Sequence, residues 1–359
     1  MEPKVVRVGI AGQGRSGYDI HAHWLRRVPG KYAIAAVADL LPARRAQAKR
    51  EFACRTYKTY PQLAADREID LFVNATPSHL HPAAAICALG AGHHVVCEKP
   101  VAVRVKDFDA MVAAARKARR VLAPFQNSRF NPFFRKMREV IASGVLGRVL
   151  HVRITCSGFA RRWDWQTRQE LCGGNLNNTG PHPIDHAVML FGPGKPKVFC
   201  RMISEVGSFG DADDFAALTL YGKGSPVVEV EVGSYRAWPV AHPYVVNGQF
   251  GSLVLDGNQL RWKYYDPAKA PRQRLLRGWS DDRQYCRELL PWQEESWSPP
   301  PTDLSAFESY SQGFYDNVHD VLTGRGSLVV TPAQVRRQVA VLEECHRQNR
   351  LPKRPAARR

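Results

Sequence analysis

The feature that most constrains this 359-residue sequence is a glycine-rich turn directly after a short apolar run. Val5 to Ala11 has the composition of a buried strand, and it leads into a helical stretch through Gly12-Gln13-Gly14-Arg15-Ser16-Gly17. This spacing is a weak signal alone. It becomes typical of a dinucleotide-binding unit when an acidic residue ends the next strand, and Asp39 stands there, 22 residues after Gly17. A glycine turn without a ligand is the alternative.

Each of the three glycines has its own physical role in such a turn. Gly12 permits the tight turn, Gly14 lets a pyrophosphate approach the backbone, and Gly17 lets helix and strand pack closely. Free N–H groups at the helix start face the phosphates, so we predict that all six turn residues bind the cofactor. Asp39 would accept hydrogen bonds from ribose hydroxyls and repel a 2′-phosphate, which favours NAD. Arg44 lies near it in sequence and keeps NADP open.

Strands alternate with helices over the first third of the chain. Further apolar runs predict strands at Tyr32–Ala38, Asp70–Ala75, His94–Cys97 and Val121–Phe125. This alternation is typical of an α/β fold with a doubly wound parallel sheet. We therefore predict an NAD(P)-binding Rossmann domain over residues 1–125.

The pattern changes at Gln126. Beyond it, apolar and polar residues alternate, as in Val228 to Gly233, and Asp256-Gly257 marks a tight hairpin turn. Such alternation predicts a half-exposed, mostly antiparallel sheet in a C-terminal α+β domain over residues 126–359. Residues 266–301 are interpreted as a surface excursion. Two helices close the chain, and we expect them to pack back on the Rossmann domain.

Composition excludes several classes of function. The net charge is 51 − 33 = +18, but the basic residues are scattered except in the tail Lys353 to Arg359, so we predict no nucleic-acid partner. None of the eight cysteines forms a CxxC pair, which argues against a metal site. We see no membrane span and no secretion signal, so we expect a cytoplasmic protein without a membrane partner.

Two clusters carry groups suited to proton transfer. Glu98-Lys99-Pro100 follows a predicted parallel strand, where open α/β sheets place ligands, and a lysine there can donate to a substrate oxygen. The segment Cys172 to His186 contains His182, which could accept a proton from a substrate hydroxyl. The alternatives are a capped helix with a core histidine, or a metal held by His182 and His186, which lacks a clear third ligand.

Four motifs together resemble the Gfo/Idh/MocA family of glucose–fructose oxidoreductases and inositol dehydrogenases. The motifs are GQGRSG, ATPSHLHPAAAICALGAGHHVVCEKP (Ala75 to Pro100), NSRFNP (Asn127 to Pro132) and GGNLNNTGPHPID (Gly173 to Asp185). The resemblance covers nearly the whole chain. It implies a Rossmann domain followed by a domain with a large open sheet, through which such proteins commonly form dimers or tetramers. It also implies oxidation of a hydroxyl on a sugar, sugar derivative or cyclitol, or the reverse reaction.

The resemblance also assigns catalytic positions. The family lysine corresponds to Lys99, the histidine to His182, and the aspartate four residues before the histidine to Asn178. An asparagine cannot accept a proton or raise the histidine pKa by its charge. It can still orient a substrate hydroxyl by hydrogen bonds.

Further residues are expected along the cofactor and the substrate. We expect the segment after the third Rossmann strand, Glu98 and the end of the last strand to line the cofactor, through Ala75, Thr76, Pro77, His79, His81, Glu98, Lys99, Gln126 and Asn127. For the two histidines after that strand, a structural turn is the alternative. Besides Lys99, Asn178 and His182, the expected substrate-binding residues are Arg129, Trp163, Trp165, Gln166 and Tyr235. Arg129 could instead form a structural ion pair, and the tryptophans could simply pack.

Three functions follow from this reasoning. The first is an NAD-dependent oxidoreductase acting on CH–OH, in which His182 takes the proton and Lys99 stabilises the charge on oxygen. The second is a redox-neutral enzyme that modifies or cleaves glycosides with tightly bound NAD. The third is a non-enzymatic NAD-bound sensor, which the lost aspartate leaves open.

Overall fold

The computed structural model describes residues 5–205, 209–278, 283 and 285–352. The basic tail Lys353 to Arg359 therefore lies outside the described residues. Two sheets organise the rest of the chain, a parallel one in the first third and a mostly antiparallel one after it. The predicted fold class is confirmed.

The first sheet has six strands in the part of the chain that is described, and neighbouring strands are all parallel. The strands are β1 (Val6–Ala11), β2 (Tyr32–Ala38), β3 (Arg55–Tyr57), β4 (Leu71–Asn74), β5 (His94–Cys97) and β6 (Leu122–Pro124). Their spatial order is β3-β2-β1-β4-β5-β6. The order reverses between β1 and β4, so the carboxyl ends of these two strands flank the crevice in which such sheets bind ligands.

Helices cover both faces of this sheet. A π-helical segment, Ser16–Ala22, leads into α1 (His23–Leu25), and the other helices are α2 (Pro42–Phe52), α3 (Tyr60–Ala64), α4 (His81–Gly90) and α5 (Val105–Ala118). Alternate strand residues enter two separate apolar cores, with Ile10 on one face and Ala11 on the other. Burial on both faces explains why these strands are continuously apolar in sequence.

The second sheet has eight strands among the described residues, in the order β14-β13-β12-β11-β7-β10-β9-β8. They are β7 (Val149–Ser157), β8 (Lys197–Ile203), β9 (Phe215–Tyr221), β10 (Val227–Gly233), β11 (Tyr244–Gly248), β12 (Gly251–Asp256), β13 (Gln259–Tyr264) and β14 (Gln293–Trp297). Among these described strands, only β7 and β10 pair in parallel. One face of the sheet packs on helices, and the other exposes side chains such as Phe199 and Tyr221.

The helices of the second half are α6 (Pro132–Ala142), α7 (Asn175–Asn178), α8 (Pro181–Phe191), α9 (Ala306–Leu322) and α10 (Pro332–Gln348). The last two pack back on the Rossmann sheet, where Phe314 and Tyr315 of α9 enter one core and Val339 of α10 enters the other. The opposite side of α10 contributes Val341 and Leu342 to the core of the second sheet. Helix α10 therefore joins the two halves of the molecule.

The sequence interpretation predicted no strand at the positions of β3 and β14. β3 has only three residues, none of them buried, so it carries no apolar run. β14 lies inside residues 266–301, which were interpreted as a surface excursion, and its sequence QEESW pairs with β13 through the backbone. In the described part of the chain, no helix combines the length and apolar character that crossing a bilayer requires.

Candidate active site

A cleft of about 780 Å³ opens at the carboxyl ends of β1, β2, β4 and β5. This volume is in the range of cofactor and ligand pockets. Many predicted site residues line it, namely Gly12, Gly14, Arg15, Ser16, Asp39, Arg44, Ala75, Thr76, Pro77, His81, Glu98, Lys99, Trp165 and Gln166. The segment Arg162–Gln166, which follows the Rossmann sheet in the sequence, closes its other side.

Two of the three glycines in the turn, Gly12 and Gly17, have no room for a side chain. The third, Gly14, has space beside it. Gly12 has a φ of +94°, and a Cβ there would lie 2.3 Å from the Ala75 carbonyl oxygen. A Cβ on Gly17 would lie 1.8 Å from the Gly12 carbonyl oxygen. The nearest atom to a Cβ on Gly14 is Arg44 Nη1, at 3.8 Å. Backbone packing therefore requires glycine at 12 and 17, while Gly14 borders open space in the cleft.

Asp39 is held by the backbone of the turn beside it. Its Oδ2 accepts from the Gln13 N–H at 2.8 Å, and its Oδ1 accepts from the Leu41 N–H at 2.8 Å. Arg44 Nη1 lies 3.5 Å from the same Oδ2. A fixed carboxylate at the tip of β2 suits ribose hydroxyls, and the glycine face beside it suits phosphates, so the residues present fit a dinucleotide.

The segment after β4 contains two histidines in different surroundings. His81 is buried, and its ring nitrogens lie 2.8 Å from the carbonyl oxygens of Thr76 and Pro100. It therefore ties this segment to the lysine loop and lines the cleft as a structural residue. His79 is exposed and does not line the cleft, contrary to its predicted cofactor contact.

Lys99 connects the two halves of the molecule. Its Nζ donates to the Asn178 backbone oxygen at 2.7 Å, and burial lowers the pKa of its amine. The neighbouring Glu98 is buried and accepts from the Lys99 N–H at 2.9 Å. Burial opposes ionisation of Glu98, but His21, 3.2 Å away, and Lys99 together outweigh it and lower the pKa of this carboxyl to about 2. Glu98 is therefore an anion beside the lysine.

His182, at the start of α8, is a half-buried and uncharged histidine. Its Nδ1 lies 2.8 Å from Gln126 Oε1. Burial and then the charge of Lys99 lower the pKa of His182 to about 3, so the ring is neutral near pH 7. A neutral imidazole beside an ammonium group can accept a proton from a hydroxyl.

The Asn178 side chain does not line the cleft, although we had expected it to orient a substrate hydroxyl there. Its Nδ2 donates to the Gln166 carbonyl oxygen at 3.0 Å, and its Oδ1 is buried. The backbone oxygen of Asn178, rather than its side chain, contacts Lys99. Both contacts hold the Arg162–Gln166 segment and the lysine in place.

Arg129 is not a substrate-binding residue in this structure. Its guanidinium forms a buried pair with Asp185, at 2.6 Å from Nε and 2.7 Å from Nη2, and Nη1 donates to Gln334. These partners occupy the guanidinium on both sides. The ion-pair alternative therefore describes it.

Gln126 and Asn127 are also displaced from their expected positions along the cofactor. Each is less than 3% exposed, and neither lines the cleft. Gln126 is used instead by His182, Pro181 and Gln338. The reason is that α8 and α10 cover the end of β6, which the sequence of β6 alone does not reveal.

Two of the three aromatic residues expected on the substrate side lie elsewhere. Trp163 is 77% exposed and packs edge-on against Phe209, and Tyr235 packs edge-on against Phe215. Neither residue lines the cleft, whereas Trp165 does.

The sequence interpretation omitted several residues that line the cleft. They are Leu40, Leu41, Lys58, Thr59, Tyr60, Pro61, Ser78 and Leu80. The segment from Lys58 follows β3, whose carboxyl end lies beside Asp39, since the Asp39 N–H donates to the Tyr57 oxygen at 3.2 Å. Recognising β3 was the missing step.

No group of three or more histidine, cysteine, aspartate or glutamate side chains in the described ranges could hold a metal ion. His182 and His186, the pair considered as an alternative metal site, do not point at a common position because each ring has other partners. The ring of His186 lies between the Tyr244 hydroxyl and the Ser128 carbonyl oxygen, 2.8 Å and 3.2 Å from its nitrogens.

Comparison with known proteins agrees with this architecture. Residues 6–125 match the model of an oxidoreductase family with an NAD-binding Rossmann fold, and residues 134–254 match the GFO/IDH/MocA C-terminal domain. The chain is 26% identical over 346 residues to the uncharacterized oxidoreductase YdgJ of Escherichia coli, covering 94% of each chain.

Two further similar proteins are named as dehydrogenases of specific compounds. The chain is 27% identical to the myo-inositol 2-dehydrogenase of Thermotoga maritima, covering 61% of this chain and 66% of the dehydrogenase. Its fold is similar to that of a levoglucosan dehydrogenase in complex with NADH and levoglucosan, with a TM-score of 0.78 and 20% identity over 96% of this chain and 97% of the other.

Proposed function

The chain belongs to the Gfo/Idh/MocA family of oxidoreductases with an NAD-binding Rossmann domain, and on that premise we propose that it oxidises a CH–OH group of a sugar, sugar derivative or cyclitol, or reduces the corresponding carbonyl. Relatives that act on inositol and levoglucosan support this class of substrate. The observation that carries the proposal is that Lys99 lines the cleft while its Nζ is anchored on the backbone oxygen of Asn178, four residues before His182.

The residues that would hold the cofactor lie along one wall. The backbone from Gly12 to Gly17 would bind the pyrophosphate, and Asp39 would bind the adenosine ribose, which favours NAD over NADP. Arg44 and Lys58 border the same end of the cleft, so NADP remains a second cofactor to test. When bound, the nicotinamide supplies the hydride acceptor.

The protein's own groups would handle the proton and the charge. His182 Nε2 would take the proton of the substrate hydroxyl as the C–H bond breaks. The Lys99 amine has one donor committed to the Asn178 oxygen and would direct another at the substrate oxygen, where negative charge develops. Trp165, Gln166 and Arg162 would contact the rest of the substrate, with an aromatic plane beside hydrogen-bonding groups.

We also propose that two or four copies associate through the open face of the second sheet. That face exposes Phe199 (63%), Tyr221 (43%) and Val227 (41%) on neighbouring strands. Apolar residues that form a contiguous exposed patch, unlike singly scattered ones, mark an interaction surface. Sedimentation of the wild type and of a Phe199→Lys variant would test it, with a shift to monomer expected for the variant.

The enzymatic proposal is tested with purified protein and a panel of polyols, sugar acids and glycosides, using both NAD and NADP. Formation of reduced nicotinamide and of products is followed together. With the best substrate, His182→Ala should lower kcat/KM by about 10² to 10⁴, and Lys99→Met by about 10² to 10³. His79→Ala is the matched control, because His79 is an exposed histidine outside the cleft, and its kcat/KM should equal that of the wild type.

Other outcomes would point to the alternatives. Cleavage of a glycoside without net NADH would replace the dehydrogenase by a redox-neutral enzyme. Undiminished turnover by His182→Ala would overturn the assigned proton acceptor, and NAD binding without turnover of any compound in the panel would favour a sensor.

A further inference from the structure

Gln126 is buried behind the cleft, where its side chain contacts His182, the proposed proton acceptor. Its side chain is 2% exposed and reaches three groups. Its Oε1 lies 2.8 Å from His182 Nδ1, and its Nε2 lies 3.3 Å from the Pro181 carbonyl oxygen and 3.4 Å from Gln338 Oε1. No part of Gln126 lines the cleft.

The Pro181 carbonyl fixes which way the Gln126 amide faces. A carbonyl oxygen can only accept a hydrogen bond, so the group next to it must be the Gln126 NH₂. The amide oxygen then points at His182. If the amide were reversed, two oxygens would face each other at Pro181 without a proton between them.

The orientation of this amide determines the tautomer of His182. An amide oxygen can only accept, so His182 Nδ1 must carry the ring proton. Because the ring is neutral, its Nε2 keeps a lone pair. Among the described residues, none is within hydrogen-bonding distance of Nε2 in the structure, and a free lone pair is what a proton acceptor requires.

A second histidine of the same helix has the opposite arrangement. His186 lies one turn further along α8, and its Nε2 faces the Ser128 carbonyl oxygen, so Nε2 carries the proton. Its Nδ1 accepts from the Tyr244 hydroxyl at 2.8 Å. Burial lowers the pKa of His186 to about 3, so it is also neutral. The tautomer therefore follows the partner of each ring and not the helix that carries it.

We propose that Gln126 is a positioning residue that holds His182 in the tautomer with a free Nε2, so that this nitrogen can receive the substrate proton. The inference rests on the proposed function, in which His182 is the acceptor. In the step itself the substrate O–H bond breaks and an Nε2–H bond forms. The Nδ1–H bond to the Gln126 oxygen is kept throughout, so the imidazolium remains oriented until it returns the proton.

The first test reads the tautomer directly, without a substrate. Full-length protein with ¹⁵N-labelled histidine, saturated with NAD, is compared with Gln126→Met by long-range ¹H–¹⁵N spectra of the imidazole nitrogens. We expect wild-type His182 to be protonated at Nδ1 and to lose this preference in Gln126→Met. The ring of His186 is the internal control and should stay protonated at Nε2 in both proteins.

A matched control changes the other histidine's partner. Tyr244→Phe removes the hydroxyl beside His186 and leaves Gln126 in place, so the His182 signals should not move. Wild-type His182 protonated at Nε2, or an unchanged Nδ1–H tautomer in Gln126→Met, would overturn the proposal. The wild-type spectrum alone can do so even when a variant does not fold.

The second test separates positioning from a merely structural role. Gln126→Met should lower kcat about 10-fold to 100-fold and leave the KM for NAD unchanged, because Gln126 does not touch the cleft. Gln126→Glu restores an acceptor and should recover activity at neutral pH. Its added charge raises the pKa of His182, so the acid limb of its pH–rate profile should move upward from that of the wild type.

The outcomes distinguish this inference from the proposed function. Equal losses in Gln126→Met and Gln126→Glu, with no shift of the acid limb, would reduce Gln126 to a packing residue. Full activity of His182→Ala would instead reject His182 as the acceptor, whatever tautomer the spectra report.

Discussion

The two walls of the cleft are built by different means. The cofactor wall, from Gly12–Gly17, Asp39 and Ala75–Pro77, is shaped by backbone atoms and missing side chains. The proposed substrate wall is formed by Arg162–Gln166, with Asn178 and His182 behind it. It depends on side chains held by distant partners, such as the bond from Gln126 to Gln338 across 212 residues. Local sequence therefore determines the first wall, while tertiary packing determines the second.

The largest expected effect concerns the support behind the substrate wall. Arg129→Met removes one member of a pair whose side chains are 4% and 1% exposed, and it leaves Asp185 as an unpaired buried charge. The free energy of unfolding should fall by about 3–5 kcal/mol, as measured by urea denaturation.

The control for this variant is Arg104→Ala. Arg104 pairs with Asp107 at the surface, where such pairs contribute less than about 1 kcal/mol. A raised KM for substrate in Arg129→Met, with unchanged stability, would show that Arg129 binds substrate and does not support the wall from behind.

On the cofactor wall, we expect steric clashes with the backbone, rather than the loss of a charge, to lower stability and NAD binding. Gly17→Ala places a methyl group against the Gly12 carbonyl, so we expect a loss of about 1–3 kcal/mol in stability and a loss of NAD binding. NADH fluorescence titration and thermal unfolding measure both.

Gly14→Ala is the matched variant on the same turn. Its methyl group meets no protein atom closer than 3.8 Å, so the melting temperature should stay near that of the wild type. NAD affinity should still fall, because the methyl group fills space beside the cleft. Equal loss of stability in the two variants would contradict a wall shaped by specific backbone approaches.

The last expected effect is a difference in the pH dependence of stability. His186, behind the substrate wall, has a pKa of about 3 when folded, below its ordinary value of 6.5. Below pH 6.5, His186 binds a proton in the unfolded chain but stays neutral in the folded protein. The free energy of unfolding therefore falls by about 1.4 kcal/mol per pH unit as pH drops towards 3. Glu98, on the cofactor side, has a pKa lowered from 4.5 to about 2, so its contribution is lost only below about pH 4.5.

Urea denaturation at about pH 7, 6 and 5 separates these windows. His186→Gln should show a shallower loss of stability over this range than the wild type, even if it is less stable at each pH. Parallel curves would show that His186 does not bind its proton differently in the two states.

The same contrast explains what the sequence could predict. The six-residue turn, Asp39 and the strand ends that carry Ala75 and Lys99 were located because their neighbours in sequence are also their neighbours in space. Gln126 and Arg129 were assigned to the wrong side because their partners Asp185, Gln334 and Gln338 lie 56 to 212 residues away. Short or charged strands such as β3 and β14 pair through backbone atoms, which side-chain periodicity does not report.

Helix α10 gives the assembly of this protein an order in time. Through Gln334 and Gln338 it secures Arg129 and Gln126, yet it is synthesised after the Rossmann strands and the glycine turn. Those earlier elements can fold as a unit before α10 is made. The contact of Gln126 with Gln338 therefore forms only after α10 has been synthesised, and the proposed proton transfer at His182 waits for that step.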